Sequence, residues 1–276
     1  MHTKDQKKNQ HWHLDEINFD AIQAELVHND QFLFLTLASA SFVEILSETY
    51  AGNLIQHYQG DAEITDWLRN NWQRDEVQHG QALKRYVQIV WPEFNWEKAY
   101  EAFRLQYSAL CTMEQLEQRK GLELLARCVI ETGTSSFYRA MQSYVREPVL
   151  QLLLEKIKVD ETAHYAHFRR YFDLYNRRDQ YSLAAIMATI WRRLRDIGGE
   201  DAYIAFKHVY EESHSESQSL NVEWRYYNQK LKQLARHHYP YRLAVKMLIK
   251  PVPLFEPLKK ILQWPLIGMA LLISTV

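Results

Sequence analysis

The sequence predicts an all-α protein, a four-helix bundle with additional C-terminal helices. Three observations point there. Glycine and proline are scarce, 8 and 7 in 276 residues, too few for a turn-rich β fold. Several long segments place apolar residues at helical spacing. In four of those segments the apolar stripe is interrupted by a glutamate, and in two of the four a histidine follows three residues later.

The elements follow in order. Residues 1–29 open with MHTKDQKKNQHWH, polar and basic with no apolar run of a signal peptide, and are expected to be flexible. The first helix is expected from Asp30 to Tyr58, where Gly60-Asp61 punctuates. The second runs from about Glu63 to Val90 and ends at Trp91-Pro92-Glu93. A short helix over Asn95 to Tyr107 connects to the third, from about Glu114 to Val145. Pro148 opens the fourth, which reaches about Tyr175, so that residues 30–180 form the bundle. Residues 181–250 are expected to supply additional helices packed on it, with helices near Asp201 to Ser213, beyond Gly198-Gly199, and near Leu220 to Arg236. Residues 251–276 form an apolar tail punctuated by Pro251, Pro253, Pro257 and Pro265. Its uncharged run, Ile261 to Val276, is short for a membrane span of ~20 residues. The tail is expected to pack on the protein or on a partner subunit, as in a homodimer; peripheral contact with a membrane is the alternative.

Charge and cysteine usage narrow the function classes. Lys and Arg number 33 and Asp and Glu 34, so there is no global basic field and nucleic acid is not an expected partner. Cys111 and Cys128 make neither a disulfide framework nor a metal knuckle. A reducing cytoplasm is the expected compartment, with membrane association the alternative through the tail.

The interrupted stripes carry the chemistry. On the second helix, Leu68, Trp72, Glu76, His79, Leu83, Tyr86 and Val90 share a face, and Glu76 and His79 lie within Asp75-Glu76-Val77-Gln78-His79. The fourth helix repeats this as Asp160-Glu161-Thr162-Ala163-His164 on the stripe Leu150, Leu154, Ile157, Glu161, His164, Phe168 and Tyr171. Residues three apart on a helix are neighbours, so each Glu and His reach one point. The first helix offers Glu44, with Glu48 one turn on, and the third offers Glu131. A buried carboxylate without a partner costs several kcal/mol, so either these stripes are wet or something positive sits against them.

One glutamate from each of two helices and Glu-x-x-His from each of the other two is the ligand set of a di-iron or di-manganese carboxylate bundle of ferritin-like form. The intervals agree: about thirty residues carry the chain along one helix and back down its neighbour, and the longer interval between Glu76 and Glu131 leaves room for a crossover. Glu44, Glu76, His79, Glu131, Glu161 and His164 are therefore the expected ligands of two iron ions, with manganese the alternative, held about 3.5–4 Å apart. Asp75 and Asp160 are candidates to orient the histidines; the other reading of Asp75 is a surface charge. His167 is expected at the surface or behind the ligands.

The stretch WLRNNWQRDEVQHGQAL resembles the second ligand helix of the soluble acyl-carrier-protein desaturases, with Asp75 in place of the first Glu of E-E-x-x-H-G and Gln78 where an Arg is usual. Glu131-Thr132-Gly133-Thr134 is similar to that family's E-x-x-T, and the resemblance implies that Thr134 faces the dioxygen site. Asp160 to His164 resembles its D-E-x-x-H, and Glu44 with Tyr50 its first ligand helix. Through ARCVIETGTSSFY and over more of its length, the chain also resembles bacterial ferritin-like proteins of uncharacterised role.

These resemblances imply an O2-dependent oxidoreductase acting on a fatty acyl group or similar apolar substrate, by desaturation or hydroxylation, with the electron donor unspecified. If a protein carries the acyl group, Arg169, Arg170, Arg177 and Arg178, or Arg192, Arg193 and Arg195, could bind its acidic surface; a solvated face is the plainer reading of each cluster. A ferroxidase or iron-handling protein is the alternative function.

Overall fold

Asp30 starts the first long helix by accepting the backbone N–H of Leu33 at 3.0 Å, one of the four donors that a helix start leaves unpaired. The computed structural model describes residues 12–196, 199–214 and 219–273. It is an all-helical bundle with no strand among the described residues. The helices are α1 (Gln31–His57), α2 (Ala62–Trp67), α3 (Gln73–Val90), α4 (Trp96–Ser108), α5 (Lys120–Tyr144), α6 (Pro148–Asp179), α7 (Leu183–Asp196), α8 (Glu200–Ser213), α9 (Leu220–His238), α10 (Tyr241–Ile249) and α11 (Glu256–Ile273).

The long helices pair as α1 with α3 and α5 with α6, and α3 faces α6 across the middle. α1 is buried continuously from Leu33 to Ser39 because α3, α4 and α8 all cover it. Among the described residues it alone is long and apolar enough to cross a membrane, and 72% of that stretch is buried in the protein. Gly80 lets α3 approach: a Cβ there would lie 2.5 Å from Ile45 Cγ1 and 2.7 Å from the Ile45 backbone nitrogen.

Three local features differ from the sequence expectation. The second helix is not uniform. Leu68–Trp72 is a π-helical segment between α2 and α3, and its wider turn ends at Trp72, immediately before the first metal-ligand motif. α5 begins at Lys120, not near Glu114. Glu123 reaches back to accept the backbone N–H of Glu117 at 2.8 Å, and Arg192 holds Glu117 at 2.7 Å, so residues 116–119 stay out of the helix, with Leu116 and Arg119 extended. The segment before α1, expected to be flexible, is packed from Trp12 onward in three short 3₁₀ turns, with Trp12, Ile17, Phe19 and Val27 buried; residues 1–11 lie outside the described residues.

Residues 181–250 hold α7 and α10 besides the two expected helices. α7 and α10 pack on α5, and Ile186, Ile190, Met247 and Val252 join the apolar core around it. The tail is helical: α11 contains Pro265 and lies along α10.

The core is divided. One apolar cluster includes Phe42, Leu83, Tyr86, Leu150 and Leu154, and the other includes Leu54, Trp72, Leu124, Phe168 and Phe172. At the depth between them, α1, α3, α5 and α6 present Glu44, Glu76, His79, Glu131, Glu161 and His164, all buried.

Candidate metal centre

The helical register that places apolar residues above and below these six also aims them inward. Their ligand atoms form two groups, Glu44, Glu76, His79 and Glu161 in one and Glu76, Glu131, Glu161 and His164 in the other, each with all its atoms within 4.8 Å of one another. Glu76 and Glu161 belong to both. Either group could hold a metal ion.

The donor atoms face each other without being hydrogen-bonded. Glu76 Oε1, Glu131 Oε2, Glu161 Oε1, His79 Nδ1 and His164 Nδ1 are all buried and lack hydrogen-bond partners. His79 Nδ1 lies 3.1 Å from Glu161 Oε1, and His164 Nδ1 lies 3.1 Å from Glu76 Oε1. Two ligands at right angles on a first-row ion, each at about 2.1 Å, are separated by about 3 Å. Unpartnered oxygen and imidazole donors at that separation fit a divalent metal, and the mixture of hard carboxylates with imidazole suits iron or manganese.

The outer nitrogen of each histidine is fixed by the opposite motif. His79 on α3 pairs through Nε2 with Asp160 Oδ2 of α6 at 3.0 Å, and His164 on α6 pairs through Nε2 with Asp75 Oδ2 of α3 at 3.1 Å. The aspartate preceding each ligand glutamate thus serves the histidine of the other helix. With Nε2 donating, Nδ1 is left free to bind a metal. Asp75 is a buried member of this crossed pair and not a surface charge.

The glutamates are also steadied. Tyr138 donates its hydroxyl to Glu44 Oε1. Trp72 donates its indole N–H to Glu131 Oε1 at 3.0 Å. Thr134, the residue expected near dioxygen, donates its hydroxyl to Glu161 Oε2 at 2.6 Å, which places it at the centre and bonded to a shared ligand. Glu48 points to solvent. His167 stacks on Trp67 at 4.9 Å, and Trp67 meets His164 edge-on at 6.3 Å.

Sequence reasoning missed Trp12. Its ring lies parallel to that of His79, 6.3 Å away, and its indole N–H donates to Asp160 Oδ2 at 2.7 Å. Gln78 holds the Trp12 carbonyl at 2.8 Å. Trp12, Ile17 and Phe19 are apolar but fall at no regular spacing, so no periodic signal marked the segment. Trp72 lies on the expected stripe of the second helix and Tyr138 two turns past Glu131 on the third, but their polar atoms carry no sequence signal of a role.

Without metal the centre must hold protons. Burial, then the Glu161 and Glu44 charges, lift Glu76 well above the usual carboxylate range, and burial with the Glu161 charge lifts Glu131 to about 8. Glu44 is raised by the same causes. Burial opposes ionisation of Glu161 too, but His79 beside it wins and holds it at about 2. Burial also opposes charge on both imidazoles, yet the surrounding carboxylates keep them protonated well above their ordinary value. A bound cation would replace those protons.

Five of the seven clustered arginines pair within the described chain. Arg169 pairs with Asp173, Arg170 with Glu63, Arg178 with Asp179, Arg192 with Glu117, and Arg193 with Glu123 and Asp196. No protein-family model, curated protein or solved structure matches the chain.

Proposed function

We propose that the protein is a ferritin-like, di-iron, O2-dependent oxidoreductase acting on a fatty acyl group or similar apolar substrate. The observation that carries this reading is the membership of Glu76 and Glu161 in both ligand groups: two metal ions held there would share these two glutamates, with Glu44 and His79 completing one group and Glu131 and His164 the other. When bound, two reduced iron ions supply the electrons and the open coordination needed to activate dioxygen.

The chain's own residues do the rest. Apolar clusters on either side keep water away and strengthen each electrostatic contact within. Asp75 and Asp160 hold the imidazoles in the ligating tautomer. Tyr138 and Trp72 bond one oxygen of Glu44 and of Glu131, which leaves the other oxygen of each for a metal. Thr134 offers a side-chain hydroxyl bonded to a shared glutamate, where it can orient Glu161 or pass a proton to a group bound beside it. The resemblance at WLRNNWQRDEVQHG and ETGT favours acyl chemistry. An acidic carrier protein would have to displace the internal partners of the arginine clusters, so a free or lipid-borne acyl chain is the simpler substrate.

The test is to add ferrous iron and air to the protein and, in parallel, to profile the acyl chains of cells that produce it. Altered unsaturation or hydroxylation that disappears in Glu131→Ala supports the proposal. Steady accumulation of many ferric ions per chain with unchanged lipids overturns it in favour of ferroxidase chemistry. Thr134→Val should keep its metal while O2 consumption uncouples from product.

A further inference from the structure

The α10–α11 hairpin reverses the usual distribution of residues between inside and outside. Phe255, Ile261 and Trp264 are each 66% exposed, and Met269 is 50% exposed. Soluble proteins leave such residues out singly, not as the face of a helix. Beside this face runs a basic stripe. Arg242, Lys246 and Lys250 are exposed at intervals of four on α10 and just past its end, while Ala244, Val245 and Met247 point into the protein. The two features adjoin: the Arg242 guanidinium lies 5.1 Å from the centre of the Trp264 ring.

The charge of this region is one-sided in a chain that is balanced overall, 33 basic residues against 34 acidic. From Tyr241 to the C-terminus the basic residues are Arg242, Lys246, Lys250, Lys259 and Lys260, and Glu256 is the single acid. Lys259 takes up that acid at 3.0 Å.

We propose that the hairpin docks on a bilayer containing anionic phospholipid. The exposed face of α11 lies at the boundary between headgroups and acyl chains, with Trp264 at headgroup depth. Arg242, Lys246 and Lys250 meet lipid phosphates. Charge complementarity selects this occupant over a second copy of the chain. A two-fold contact through α11 would set each basic stripe close to its own image, at a cost in repulsion. Among the described residues α1 alone is long and apolar enough to cross a membrane, so the mode proposed for α11 is surface docking. The inference does not depend on the chemistry of the metal centre.

The experiment is co-sedimentation of the full-length protein with vesicles of phosphatidylcholine alone and of phosphatidylcholine with phosphatidylglycerol. At least tenfold more protein should pellet with the anionic vesicles, and raising the salt should reduce it. The double variants Ile261→Asp/Trp264→Asp and Arg242→Glu/Lys246→Glu replace exposed side chains, so each should keep the wild-type melting temperature and metal content while losing vesicle binding. Equal partition onto both vesicle types, no binding to either, or wild-type binding by both variants would overturn the proposal. So would a dimer in sedimentation equilibrium that Trp264→Asp dissociates, found without vesicle binding; that result assigns the face to a second copy.

Discussion

The two halves of the candidate metal centre share a pattern of potential ligands and differ in what supports them. In one, His79 leans on Asp160, which also receives the indole of Trp12, and Glu44 is held by Tyr138. In the other, His164 leans on Asp75, Trp67 meets its ring edge-on, and Glu131 is held by Trp72 from the π-helical segment. The Asp160 side chain is 20% exposed and the Asp75 side chain 11%. A repeated motif thus sits in two unequal environments: one half is closed by a segment far away in sequence, the other by α2 and the π-helical segment just before the helix that carries its aspartate.

The largest effect separates shared ligands from unshared ones. Glu76→Ala and Glu161→Ala should each lose nearly all bound metal, since each removes a ligand from both groups. Glu44→Ala and Glu131→Ala should each retain about half. Metal analysis of the four purified variants decides it, and total loss in Glu44→Ala would show that the halves fill only together.

The next effect is on stability and its pH dependence. A carboxyl whose pKa is higher in the folded state than in the unfolded chain stabilises fully below its unfolded value and loses that contribution as pH rises through its folded value. Glu131 moves from 4.5 to about 8, so metal-free protein should melt at progressively lower temperature across that window. Glu44 and Glu76 act in the same direction, whereas Glu161, held near 2, loses its contribution only below 4.5. Metal binding needs the ionised ligands, so the loaded protein should gain relative to the apo form as pH rises, by about 5 °C or more near neutrality. Scanning calorimetry of both forms from pH 5 to 8 measures this. Parallel curves would mean that the carboxylates are solvated.

A smaller effect tests the crossed aspartates. Asp75→Asn and Asp160→Asn should each weaken metal binding by about 10–100-fold in competition with a chelator. Only the Asp160 variant should also make residues before α1 sensitive to protease, because of the two aspartates it is Asp160 that accepts the Trp12 indole N–H. The same protease pattern in both variants would erase the asymmetry. The mildest change is Trp12→Phe, which keeps a ring against His79 and removes one hydrogen bond to a partly exposed carboxylate. It should cost about 1 kcal/mol, or roughly 2–4 °C in melting temperature, with metal content intact.

The all-α class and the six clustered residues were legible because strong periodicity and a repeated five-residue motif reinforce each other over helices of 18 to 32 residues. A polar pair at fixed spacing on an apolar face has few physical explanations. The π-helical segment was not legible, since one extra residue per turn over Leu68–Trp72 leaves the apolar spacing nearly unchanged. The docking of Trp12 was hidden because a single indole after a polar run carries no period. α10 is short and owes its place to α5, whereas α7 went unread although Ile186, Thr189 and Ile190 recur at helical spacing. The tail read as broken by its prolines, yet Pro257 sits in the first turn of α11, where its missing N–H costs no helix bond, and Pro265 is carried within the helix.

The hydrogen bond between Trp12 and Asp160 joins residues 148 apart in the chain, and it sets an order on biosynthesis. At ~5–20 residues per second, on the order of ten seconds or more separates the emergence of Trp12 from that of Asp160. During that interval α1 and α3 can pair, with Glu44, Glu76 and His79 in place, but Glu161 has yet to complete their group. The first anchor to leave the ribosome must wait until α6 is made, so the nascent chain carries half a centre that only its later half can close.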